Sequence, residues 1–93
     1  MGDTPTHRLS ILELEDNTIE AILEAIRVRR LKAVRDYEEM KSMKDAAARE
    51  GIEEKLQKAL DRFMKRLEKL DALIESLEEQ ATKLRAMKLE LEN

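Results

Sequence analysis

The sequence predicts an all-α protein: an antiparallel helical hairpin of two long coiled-coil helices, over about residues 10–50 and 52–92, pairing into a four-helix bundle. Composition is the first reason. Charged residues make up 42% of the chain and aromatics 2%, with two glycines and one proline. Chains of this kind with a helical apolar period form long helices or coiled coils. The second reason is a heptad over Leu56–Leu91. Leu60, Leu67, Ile74, Ala81 and Lys88 take its a positions, and Leu56, Phe63, Leu70, Leu77, Leu84 and Leu91 its d positions. A helix with such a stripe cannot bury it alone and needs a partner helix. The third reason is that the first half of the chain supplies one.

Residues 1–8 hold Gly2 and Pro5 and no periodic apolar positions, so a flexible N-terminal tail is expected there, ahead of a single helical domain over 9–93. Ser10 with Glu13 forms a capping box, and Leu9 with Leu14 has the spacing of its hydrophobic staple, which sets a helix start near Ser10. Asn17–Glu20 offers a later start, and Asp16, Asn17 and Thr18 have low helix propensity, so a break there is compatible with the pattern. From Ile19 the steps of four and three resume. Leu23, Arg30, Tyr37 and Lys44 take a positions, and Ile19, Ile26, Ala33, Met40 and Ala47 take d positions.

Gly51 is the one breaker in the middle. Arg49 before it suits a helix C-terminus, and Glu53 and Glu54 after it suit an N-terminus. Gly at C′ followed by Ile52 is a common helix ending. The alternative is one helix of about 80 residues with Gly51 inside it, at a cost of about 1 kcal/mol relative to Ala. Folding back is the better reading because the halves then match. Leu23 meets Leu77, Ile26 meets Ile74, Ala33 meets Leu67, and Tyr37 meets Phe63. On the flanks Arg27 falls near Asp71, Asp36 near Arg66 and Glu13 near Arg85, while Glu20 near Glu78 is a mismatch.

The chemistry-bearing residues exclude more than they suggest. There is no cysteine and a single histidine, His7, so no thiol nucleophile or multi-histidine metal site can be built within one chain. No glycine-rich phosphate loop or strand-to-helix nucleophile turn is present. The expectation is a non-enzymatic protein with no catalytic, metal or cofactor-binding residues. No apolar run approaches the roughly 20 residues of a membrane span, and a cytoplasmic location is the simplest expectation.

Two surfaces remain. Net charge is −3, yet residues 27–35 carry five basic residues and no acid. Arg27, Val28, Arg29, Leu31, Lys32 and Arg35 form a candidate face for a partner or an anion. Exposed Val28 and Leu31 among the cations, with no aromatic residue nearby for base stacking, point to a protein rather than a plain phosphate clamp. The second surface is the g flank. Ile22, Met43, Ile52, Ala59, Leu73 and Met87 lie outside a two-helix seam, and a stripe wider than a and d belongs to a bundle of more than two helices. These residues are the candidate oligomer interface, with a homodimer the simplest assembly. The expected function is that of a structural or adaptor protein, such as a small assembly factor, chaperone or phage-type accessory protein, working by oligomerisation and protein docking. The alternative is a small RNA- or DNA-binding helical dimer using the 27–35 face, similar in architecture to plasmid-copy-control RNA-binding hairpin dimers.

Overall fold

The computed structural model describes the backbone of residues 5–92 and the side chains of residues 7–92. Among these residues the chain is all-helical. Helix α1 spans Pro5–Ser42, α2 Lys44–Glu50 and α3 Glu53–Glu92. Only Met43, Gly51 and Ile52 lie outside them.

Helix α1 begins earlier than the capping box predicts. Its first residue is Pro5, so residues 5–8 are helical instead of belonging to a tail; residues 1–4 of that expected tail lie outside the described residues. A proline is suited to this place, because the first turn has amides without helical partners and proline has no amide to leave unpaired. Ser10 and Glu13 therefore sit inside the helix. Residues 9–17 are helical without a break at Asp16–Thr18, and the Thr18 hydroxyl donates to the Leu14 carbonyl at 2.9 Å.

The expected first helix is also divided near its end. The Met43 amide bonds to the Met40 carbonyl three residues back at 3.1 Å, and the Ser42 hydroxyl donates to the Glu39 carbonyl at 2.6 Å. An i→i−3 bond tightens the helix locally, and a serine hydroxyl competing for a backbone carbonyl favours that distortion. The Ala47 amide returns to the four-residue spacing, bonding to the Met43 carbonyl at 2.9 Å.

Gly51 closes α2 as the sequence predicts. Its φ of 70° and ψ of 26° are left-handed. The Ile52 amide bonds to the Ala47 carbonyl at 2.9 Å and the Gly51 amide to the Ala48 carbonyl at 3.3 Å, which is the Schellman pair of bonds. A Cβ at Gly51 would meet nothing within 4 Å, so the constraint is conformational: a side chain in the left-handed region costs roughly 1–2 kcal/mol.

Burial follows the heptads. Among the described residues seven hydrophobic side chains are buried: Leu23, Ile26, Ala33, Ala47, Leu60, Leu67 and Ala81. All occupy a or d positions. Every other described a or d position is half-buried except Lys44, which is exposed. Off these positions, only Glu20, Val34, Asp36 and Ala59 are less than fully exposed. Lys44 directly follows the tightened turn at Met43, and Ala47, three residues on, is buried at its expected d position.

The chain divides into two compact units. Unit 1 takes the residues through Ile26 together with those from Leu73 onward, and unit 2 is Arg27–Ala72. In unit 1 the buried residues are Leu23, Ile26 and Ala81, and Arg85 forms ion pairs with Glu20 and, at 3.8 Å, with Asp16. In unit 2 the buried residues are Ala33, Ala47, Leu60 and Leu67, and Arg30 forms an ion pair with Asp71. No helix of the described residues is long and apolar enough to cross a membrane.

Candidate functional site

The ion pairs choose different residues from those that spacing alone assigns. Asp71, expected near Arg27, is bound by Arg30 from an a position. Arg85, expected near Glu13, reaches Glu20 and Asp16. Arginine side chains are long enough to span a heptad step in either direction, so spacing fixes the flank more firmly than the partner. Asp71, Glu20 and Arg85 are all e positions. The ion pairs thus lie along the e flank of each unit, and the g positions Arg8, Arg29, Asp36, Arg66 and Met87 border open grooves.

The groove of unit 2 has a volume of about 440 Å³ and is lined by Arg29, Lys32, Ala33, Asp36, Phe63, Arg66 and Leu70. Arg29 and Lys32 stand one turn apart on α1 because residues i and i+3 share a helix face. Arg66 comes from α3, and its guanidinium lies over the Phe63 ring at 5.4 Å from the centroid. Stacking a guanidinium on a ring leaves its N–H edge free to bind a carboxylate or phosphate. Three cations and one carboxylate therefore surround an apolar floor.

This places the predicted basic face. Arg29 and Lys32 belong to the groove, whereas Val28, Leu31 and Arg35 sit at f and b positions turned away from the seam; Val28 is 63% exposed and Leu31 54%. The run therefore splits into a groove rim and an outer face. Arg66 and Phe63 complete the groove, and a linear run of charges could not have shown them. The signal that could have found them was the g position of Arg66 beside Asp36.

A groove at the Arg8–Leu91 end of unit 1 has a volume of about 330 Å³ and is lined by Arg8, Ile11, Leu12, Met87, Glu90 and Leu91. It holds one cation and one anion around four apolar side chains. Of the predicted oligomer positions, unit 1 carries Ile22, Leu73 and Met87, all exposed. Unit 2 carries Met43 and Ile52, which are exposed, and Ala59, which is half-buried. Met43 falls at the tightened turn. Ile11 is a further exposed apolar residue of the unit 1 groove, absent from the predicted set because its c position lies beyond g.

No family model, curated protein or solved structure matches the chain. Function therefore rests on the grooves. Among the described residues no cluster of three or more His, Cys, Asp or Glu has the arrangement of a metal site.

Proposed function

We propose that the chain is a non-enzymatic adaptor: an antiparallel coiled-coil hairpin that pairs with a second copy into a four-helix bundle and docks another protein. Three contacts support the hairpin. Arg85 pairs with Asp16 and Glu20, Arg30 pairs with Asp71, and residues 8–12 share a groove with residues 87–91. Each joins residue numbers that add to about 100, as two antiparallel helices require.

The observation that carries the association is the apolar content of the g flank. Ile22, Leu73 and Met87 remain exposed beside a seam whose apolar a and d positions are buried or half-buried. Each is already about half covered, so covering the remainder contributes roughly half of the 1.5–3 kcal/mol of a full burial. Sedimentation equilibrium tests it. The chain should sediment as a dimer at tens of micromolar, and Leu73→Glu with Met87→Lys should shift it to monomer while keeping its helix content. A wild-type chain sedimenting at 10.8 kDa overturns the dimer.

The docking face in this reading is the unit 2 groove, whose cations and apolar floor suit an acidic helix with an apolar stripe. Nucleic acid is the second reading, supported by the same three cations, though the groove offers one ring only, and that ring is already covered by Arg66.

A further inference from the structure

We infer that the second copy docks on the groove of unit 1 about a two-fold axis parallel to the helices, so that Arg8 of each copy meets Glu90 of the other. This rests on the self-association proposed above and specifies where and how it occurs.

The argument starts from symmetry. A two-fold interface places one surface patch against itself, so a patch suits self-docking when its own charges and shapes are complementary. The unit 1 groove meets that condition. Arg8 and Ile11 stand on its α1 side and Met87 and Glu90 on its α3 side, over Leu12 and Leu91. Rotation about an axis along the groove places each copy's α1 rim over the other copy's α3 rim, which brings Arg8 to Glu90 and lays Ile11 near Met87. An axis across the groove would set each rim against itself away from the centre and lose the match. The unit 2 groove does not meet the condition. Docking it on itself gathers six cations and two carboxylates, an excess that repels.

Local stability gives a second, independent reason. A helix N-terminus favours acids and a C-terminus favours bases. Arg8 lies in the first turn of α1, which has no acid, and Glu90 lies in the last turn of α3, which has no base. Each charge is therefore opposed to the dipole of its own helix. Among the described residues no ion pair joins Arg8 to Glu90. A bond to a second copy gives both charges a partner that no ion pair among the described residues gives them.

The test is a charge exchange in trans, using the full chain at low ionic strength, where exposed pairs are least screened. Dimer dissociation is measured by sedimentation for wild type, Arg8→Glu, Glu90→Arg, an equimolar mixture of the two variants, and the double variant. Each single variant places like charges opposite one another twice per dimer and should dissociate at least tenfold more readily. The mixture and the double variant should return to within about threefold of wild type, since both restore opposite charges at both contacts. Folding does not confound the result. Both substitutions agree with the helix dipole, so without an interface each should slightly raise the melting temperature. Single variants that associate like wild type overturn the inference while leaving the adaptor reading intact, as does a mixture that fails to associate. A monomeric wild type overturns both the inference and the self-association it rests on.

Discussion

The two units follow the same heptad rules and yet expose different flanks. Unit 1 buries two large residues, Leu23 and Ile26, with the small Ala81, and its groove carries balanced charge. Unit 2 buries two leucines with two alanines, contains the tightened turn and the Gly51 cap, and its groove carries three cations to one carboxylate. The seam thus determines that helices pair, while the g positions beside it determine what each unit can meet. In the reading proposed above, the balanced apolar flank is the one offered to a second copy and the unbalanced one to a partner of opposite sign.

The largest expected difference lies in the seams. Leu23 is 1% exposed, so Leu23→Ala should destabilise by about 3 kcal/mol, within the usual range for a buried leucine. The same change at Leu67, 9% exposed, should cost less, because a cavity nearer solvent is more readily refilled. Urea unfolding of the two variants measures the contrast. Equal losses would mean that the units are equally tight at these positions.

How far the sequence carries the reader depends on the kind of interaction. The seam was legible because burial of apolar groups is periodic and independent of detail: among the described residues all seven buried hydrophobic side chains fall on predicted positions. The Gly51 ending was legible because a left-handed residue there strongly favours glycine. The start at Pro5 was missed because a plausible capping box five residues later outweighed it, although either residue type can open a helix. The break at Met43 coincides with the Ser42 hydroxyl–Glu39 carbonyl bond, but the same kind of bond at Thr18 leaves the helix unbroken, so residue type alone does not announce it. The unit 2 groove needed two distant segments to be set side by side before Arg66 and Phe63 could join Arg29 and Lys32.

Asp16 gives an effect of opposite sign. It occupies an a position in unit 1, and its Oδ1 is buried with no hydrogen-bond partner; the Nε of Arg85 stays 3.8 Å away. A buried polar atom without a bond costs roughly 1–3 kcal/mol. Asp16→Leu should therefore stabilise by about 1 kcal/mol, since Arg85 keeps Glu20 and the seam gains an apolar residue. A lower urea midpoint for this variant would show that the carboxylate is satisfied through the ion pair alone. Unit 1 would then contain no imperfect layer at that level.

The smallest effect separates two seam positions that the heptad treats alike. Arg30 and Lys44 are both a positions in unit 2, and polar residues at a positions lower stability while fixing register. Leucine at either would then be expected to raise the melting temperature. The structure distinguishes them. Lys44 follows the tightened turn and is exposed, so Lys44→Leu adds an apolar group to solvent and should change stability by less than about 0.5 kcal/mol. Arg30 is half-buried and holds Asp71, so Arg30→Leu exchanges an ion pair for seam packing. Exposed ion pairs contribute about 0–1 kcal/mol, less than a leucine gains by burial, and the melting temperature should rise by a few degrees. Thermal unfolding of the two variants side by side decides the matter. A rise for Lys44→Leu equal to that for Arg30→Leu would place Lys44 back in the seam and make the interruption at Met43 a feature with no effect on register.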